Sequence, residues 1–254
     1  MSTTKKNAVM VLSGGMDSVT MLHEYASQIE VAVNFTYGSN HNLRELECAR
    51  RHCAELGIEL VEIDLSFIGS NFHSSLLEGP DAIPEGDYDF DNMKSTVVPF
   101  RNGIMLAAAA GLAESRGLTV VMIANHAGDH ALYPDCRDSF VRAMSKAISE
   151  GTYDGVAISA PYTLLSKGQI ALRGKRLGLD YSTTYSCYKG RENHCGVCGT
   201  CRERRQALAE AGIEDTTKNR RRSTTEQPNI INHKNKPHGR ISKQSKCRFR
   251  SIQG

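Results

Sequence analysis

The chain has 254 residues, 40% of them hydrophobic and 23% charged, with a formal net charge of +3. That length suits one α/β domain with a small appendage, and no run reaches the about eighteen consecutive apolar residues of a membrane span. Of the 31 Lys/Arg and 28 Asp/Glu, eleven and one fall in residues 218–254, which leaves a body with 20 basic and 27 acidic groups; an acidic body argues against a broad nucleic-acid surface on the fold itself.

The polar N-terminus runs straight into an apolar strand, Ala8 to Leu12, leaving no room for a signal peptide, so a cytoplasmic protein is expected. The strand ends abruptly in Ser13-Gly14-Gly15-Met16-Asp17-Ser18, and a helical pattern follows at Val19, Leu22, Tyr25 and Ala26. Strand, glycine loop and helix start direct backbone N–H groups at one point, a site suited to phosphate or pyrophosphate. Ser13 and Ser18 add hydroxyl donors. No Gly-Lys-Ser/Thr follows, so this is not the kinase-type P-loop, and the dinucleotide three-glycine spacing is absent.

Residues 30–37 form the second expected strand. The polar run Gly38 to His41 leads into a helix carrying Leu43, Leu46, Ala49, Cys53 and Leu56; Gly57 ends it, and residues 58–65 form a third strand. Repeated β-α steps imply a parallel sheet with ligands beyond the strands' C-terminal ends. Residues 66–95, with acids and Gly-Pro turns, read as a long loop, either a lid, a binding insert or disordered. Pro99 precedes an apolar core helix, Gly103 to Arg116, with Arg101 and Asn102 at its start. A fourth strand, residues 118–124, delivers the polar stretch Asn125 to His130 and then Tyr133-Pro134-Asp135-Cys136-Arg137, with Asp135 a natural cap for the helix Phe140 to Ile148. After a short fifth strand, residues 156–159, Ser166 caps a helix whose first residue, Lys167, is either a solvated lysine or a compact charge for a phosphate.

Four of the eight cysteines follow the spacing Cys187-x7-Cys195-x2-Cys198-x2-Cys201. In a cytosolic chain such a cluster points to metal rather than to disulfides. Four thiolates suit a closed, structural Zn²⁺ site. An iron–sulfur cluster takes the same ligands, a redox Cys-x-x-Cys pair is another use, and His194 is a substitute ligand; the all-sulfur spacing favours zinc. Gly196 and Gly199 permit the turns, and a helix starts near Arg202.

The Ser-Gly-Gly-x-Asp-Ser loop resembles that of the N-type ATP pyrophosphatases, the PP-loop superfamily. Taken with Tyr37, His41 and Glu45, Val98-Pro99-Phe100-Arg101-Asn102, Tyr133 to Arg137, Lys167 and the four cysteines, the chain from Ala8 to about Ala211 resembles the 7-cyano-7-deazaguanine synthase family. The resemblance implies a Rossmann-like parallel sheet with helices on both faces and a small C-terminal zinc-binding subdomain. The expected division is 1–180 for the ATP-pyrophosphatase domain, 181–215 for the zinc-binding helical part and 216–254 for a basic, disordered tail. The implied reaction joins 7-carboxy-7-deazaguanine and ammonia at the expense of ATP, through an adenylated carboxylate and an amide, to the nitrile of queuosine biosynthesis.

The resemblance also implies site residues. Leu12, Ser13, Gly14, Gly15, Met16, Asp17, Ser18, Val19, Thr20, Met21 and Leu22 are expected to bind the nucleotide, with Asp17 orienting the loop or helping to hold Mg²⁺. Arg101, Arg137 and Lys167 are candidates for pyrophosphate or the substrate carboxylate. Asp129 and Asp135 are candidates for the guanine-like ring, and His41 or Glu45 for the protons of ammonia. Cys187, Cys195, Cys198 and Cys201 are the expected zinc ligands, and a homodimer using free ammonia is expected. The sequence departs from the family at Ser39-Asn40, where Gln-Arg is common, and in the stretch His126 to Leu132. These departures keep open a paralogue that conjugates a deazapurine carboxylate to another amine. A PP-loop tRNA-modifying enzyme and a zinc-ribbon module binding nucleic acid through the tail are the competing readings.

Overall fold

The computed structural model describes residues 6–217; the basic segment after Thr217, expected to be disordered, lies outside them. In chain order the elements are β1 (Ala8–Val11), α1 (Met16–Glu24), β2 (Ile29–Thr36), α2 (Asn42–Leu56), β3 (Glu59–Asp64), α3 (Phe67–Asn71), α4 (Phe90–Met93), α5 (Arg101–Ser115), β4 (Val120–Met122), α6 (Asp138–Gly151), β5 (Ala157–Ser159), α7 (Lys167–Arg176) and α8 (Gly199–Glu210). The strands form one parallel sheet in the order β3-β2-β1-β4-β5. The chain winds outward from β1 in one direction, then resumes on its other side at β4. That reversal opens a crevice at the C-terminal ends of the central strands, the place where open α/β sheets bind ligands.

Alternation along β1 divides the core. Val9 joins Val31, Val33 and Val121 beneath Leu106 and Ala109 of α5. Ala8, Met10 and Leu12 face the other way, onto Val19 and Leu22 of α1, Ala49 and Cys53 of α2, and Ile170 of α7. Both faces are therefore covered, which explains why these strands read as nearly continuous apolar runs. Among the described residues, no single helix is long and apolar enough to cross a membrane.

Three local expectations need correction. Residues 66–95, expected as a long loop that is a lid, a binding insert or disordered, are ordered and partly helical: they contain α3 and α4, and they bury Leu76, Ile83 and Met93. Their Glu85 bridges to Cys198, and Gly86 N–H donates to the carbonyl of Val197, so the segment braces the cysteine turn. Asp135 does not cap the helix that follows it. That helix begins at Asp138, while the Asp135 carboxylate accepts from the N–H of Asn102 at 2.8 Å and so caps the start of α5. The last helix begins at Gly199, before the fourth cysteine. Gly199 gives room to the Met93 side chain: a Cβ there would lie 2.6 Å from its sulfur, which would have to shift. By contrast, Ser166 caps α7 as expected, in a reciprocal capping box with Gln169.

Candidate functional site

The crevice holds about 1120 Å³ of space, part of it open to solvent, and it is lined from β1, β2, β4 and the cysteine segment. Its floor is the loop after β1. Gly14 has φ +101°, and a Cβ there would lie 2.0 Å from the carbonyl oxygen of Glu45, so only glycine fits. Ser18 Oγ accepts from Gly14 N–H at 3.2 Å, Ser13 Oγ accepts from Gly15 N–H at 3.1 Å, and the two hydroxyls are 3.0 Å apart. The serines thus hold the loop's shape as well as facing the crevice. The N-cap of α1 is Gly15, which has no side chain to satisfy the first-turn N–H groups. That leaves the helix N-terminus available to an anion.

Two clusters flank this loop. In the first, Lys167 Nζ lies 2.8 Å from Glu203 Oε2 and 3.2 Å from Asp17 Oδ2. His126 Nε2 lies 3.7 Å from Asp17 and 3.5 Å from Asp129. Tyr88 donates its hydroxyl to Asp129 at 3.0 Å. Burial alone would lower the pKa of Lys167, but Asp17 and then Glu203 outweigh it and hold it above the usual lysine value. Burial raises that of Glu203. Asp17 Oδ1 is buried without a partner among the described residues, an oxygen free for a cation or a donor.

The second cluster is aromatic. His41 stacks on Tyr188 at 5.1 Å between ring centres, and its Nε2 lies 3.4 Å from Tyr37 Oη and 3.7 Å from Glu45 Oε2. Arg101 donates to Tyr37 Oη at 2.9 Å and lies over the Tyr37 ring. Burial pushes His41 down to about 3, with Arg101 adding to the effect. Burial pushes Glu45 up to about 8 against the pull of Arg101. Arg101 is aimed by the turn before it: Phe100 has φ +52°, and its ring packs where a Cβ on Gly103 would stand.

The sulfurs of Cys187, Cys195, Cys198 and Cys201 all lie within 4.8 Å of one another, and those of Cys195 and Cys201 are 3.9 Å apart. Tetrahedral thiolates around zinc at about 2.3 Å stand about 3.8 Å from each other, so the cluster could hold such a metal. Backbone N–H groups of Cys195 and Cys198 each donate to a cysteine sulfur at 3.3 Å, the outer support such ligands use. His194 is not part of this set: its Nε2 accepts from Ser186 N–H at 3.0 Å. The cysteine segment reaches the crevice directly, because Tyr185 N–H donates to Gly14 O at 3.2 Å and both Ser186 and Tyr188 line the wall.

The crevice thus gathers Leu12, Ser13, Gly15, Met16, Asp17, Ser18, His41, Glu45, Arg101, Asp129 and Lys167. Other expected residues lie elsewhere. Val19, Met21 and Leu22 are buried in the core beneath the sheet, and the Thr20 hydroxyl bonds Met16 O and Tyr181 Oη; a helix turns these four away from a ligand at its N-terminus. Arg137 is exposed and donates to the carbonyl of His130. Asp135 is used in capping α5. Asn40 braces the 66–95 segment through Leu76 O and Ser75 O. Sequence reasoning did not single out Glu203, Tyr88 or Tyr188. Glu203 sits in a charge-rich helix that reads as a solvated face, and Tyr88 sits in a stretch that reads as a loop. Only Tyr188, directly after a cysteine, carried a positional signal.

The sequence model of the family described as queuosine biosynthesis protein QueC matches residues 7–212. A protein named 7-cyano-7-deazaguanine synthase from Porphyromonas gingivalis is 60% identical over 213 residues, covering 84% of this chain and 97% of its own. Proteins of the same name are 49% identical in Desulfotalea psychrophila, over 84% of this chain and 98% of theirs, and 46% identical in Methanoregula boonei, over 82% and 96%. With the loop, the paired crevice clusters and the cysteine knuckle falling within the matched residues, the chain belongs to the QueC family of queuosine biosynthesis proteins.

Proposed function

We propose that this protein is a cytoplasmic ATP-dependent ligase that converts 7-carboxy-7-deazaguanine and ammonia to 7-cyano-7-deazaguanine. The observation that carries the reading is one crevice that joins an uncapped helix N-terminus after a Ser-Gly-Gly loop to a buried, nearly neutral Glu45 and a fixed Arg101. The first feature suits a polyphosphate; the second suits a carboxylate substrate and an incoming amine.

The balance runs in two rounds. A substrate carboxylate oxygen attacks the α-phosphorus of ATP, and pyrophosphate leaves. Ammonia then attacks the acyl carbon, a proton is lost, and AMP departs with that oxygen to leave the amide. The amide oxygen attacks a second ATP, again releasing pyrophosphate. Loss of AMP and the nitrogen's protons gives the nitrile. The protein's part is positioning and charge stabilisation. First-turn N–H groups of α1 and Lys167 hold the phosphates, and Arg101 holds the substrate carboxylate. Glu45, with a pKa near the working pH, takes protons from the amine, and His41 fixes its orientation. Asp129 and the Tyr88 hydroxyl face the ring of the deazapurine.

Two metals fit this reading. Asp17, with one oxygen unpartnered among the described residues, would be a suitable carboxylate for Mg²⁺, which would supply positive charge against the phosphates. Cys187, Cys195, Cys198 and Cys201 would hold Zn²⁺ in a structural role, with no part in the chemistry, and the segment they close would keep Tyr185, Ser186 and Tyr188 against the loop. Residues 1–180 thus carry the nucleotide site, and 181–215 brace it, with Glu203 crossing over to Lys167. A homodimer with free ammonia as nitrogen donor completes the proposal.

Substrate labelled with oxygen-18 in both carboxyl positions tests the sequence of steps. The reading expects one label in each of two AMP molecules per nitrile, with the nitrile identified by mass. Label in a single AMP, with product held at an amide of ammonia or of another amine, would replace it with the amine-conjugating paralogue.

A further inference from the structure

A second group of ligating side chains stands at the end of α1 opposite the loop. His23, in the last turn of α1, places Nε2 2.9 Å from Nδ1 of His52 on α2, with the rings edge to face. Glu55, three residues after His52 and so on the same side of α2, places Oε2 3.6 Å from the same Nδ1. All three donor atoms lie within 4.8 Å of one another, and none of these residues lines the crevice.

Three features distinguish this group from a chance surface hydrogen bond. His52 is buried, and its Nε2 is spent on Thr183, 3.3 Å from the carbonyl and 3.1 Å from the hydroxyl. Donation to that carbonyl fixes the tautomer and leaves the lone pair on Nδ1, as in histidines that bind metals. Burial disfavours the charged form of both rings, with Glu55 opposing it at each and His23 adding to it at His52. The distances of 2.9 and 3.6 Å bracket the about 3.3 Å edge of a tetrahedron with bonds near 2.0 Å.

We propose that His23, His52 and Glu55 form a second metal site, separate from the cysteines, for a borderline divalent transition ion such as Zn²⁺ or Co²⁺, with water in the remaining position. Imidazole and carboxylate donors suit that class rather than Mg²⁺. The ion takes the place of the His23–His52 hydrogen bond, and the His23 proton moves from Nε2 to Nδ1, so no net proton is released. Glu55 is largely exposed and gives the ion access. The site ties together α1, which carries the glycine loop, α2, which carries Glu45 in its first turn, and the turn at Tyr181–Thr183 that leads to Cys187. Its role is to fix these three elements relative to one another.

The test uses the full-length protein with its cysteine site filled by Zn²⁺, titrated with Co²⁺ at pH 7.5. The proposal expects one further Co²⁺ per chain, with weak visible bands of nitrogen and oxygen ligation and no intense thiolate-to-cobalt absorption. His23→Gln and Glu55→Gln should each weaken uptake at least about tenfold, and Co²⁺ should raise the melting temperature of the unsubstituted protein but not of His23→Gln. Uptake by both variants as tight as that of the unsubstituted protein, uptake only by displacing zinc from sulfur, or no uptake would each overturn it.

Discussion

Lys167 and Glu45 are both ionisable groups set in the wall of one crevice, yet their surroundings act in opposite directions. Lys167 lies between Asp17 and Glu203 at 3.2 and 2.8 Å, and pairing outweighs burial, so it stays charged. Glu45 lies beside an uncharged His41 amid Tyr37 and Tyr188, and burial outweighs the nearby Arg101, so its carboxyl holds a proton to about pH 8. Fixed charge beside the loop suits the holding of phosphates; a group that titrates near neutrality suits the exchange of protons. The crevice thus separates the two tasks by what surrounds each group, not by residue type.

The strongest way to break this comparison is to remove the fixed charge. Lys167→Met leaves Asp17 and Glu203 facing each other without a cation. Stability should fall by about 3 kcal/mol, as when one partner of a buried ion pair is deleted, and ATP-dependent turnover should drop at least about a thousandfold. Denaturant melts and pyrophosphate release measure the two effects. Turnover within tenfold of the parent would remove Lys167 from the phosphate site.

Glu45→Gln sharpens the other half through pH. The folded pKa of Glu45 is raised from 4.5 to about 8, so its contribution is fully present below pH 4.5 and is lost as pH rises to about 8. His41 has the opposite sign: its folded pKa is depressed from 6.5 to about 3, so stability present above pH 6.5 is lost as pH falls toward 3. Glu45→Gln should therefore match the parent near pH 4 and exceed it by about 2 kcal/mol or more at pH 8.5, while losing the rise of turnover with pH. Parallel stability curves across that range would show that Glu45 titrates as an ordinary carboxyl.

Smaller effects separate the crevice from its margin. Tyr88→Phe deletes one hydrogen bond to Asp129, and the cost in kcat/KM should be about fivefold to tenfold, at about 1 kcal/mol for such a bond. Arg137→Ala, on an exposed side chain that among the described residues bonds the His130 carbonyl, should change turnover less than about twofold. A hundredfold loss there would bring Arg137 into the site in a state this structure does not display.

The same contrast explains what was legible beforehand. The sheet, the loop and the cysteine set were readable because each rests on local sequence: apolar strand runs, a glycine required at Gly14, cysteines at knuckle spacing. Asp17, Glu45, Arg101 and Lys167 all line the crevice; Asp17, Arg101 and Lys167 each stand at a helix start, and Glu45 is singled out through the family resemblance alone. Val19 to Leu22 turn their side chains into the core, because the contiguity of a nucleotide segment says nothing about which face of α1 meets the ligand. Arg137 and Asp135 belonged to a dense polar stretch, part of which serves to cap α5. Tyr88 reaches the crevice from the 66–95 segment, and Glu203 on α8 reaches Lys167, only after long-range packing, and no local pattern marks such positions.

The most direct test is pyrophosphate release by zinc-loaded protein supplied with Mg-ATP and ammonium, with and without 7-carboxy-7-deazaguanine. The account predicts release that requires the acid, about two pyrophosphates per acid consumed, and a product with the mass of the nitrile. Release indifferent to the acid, or none from folded protein, would contradict it.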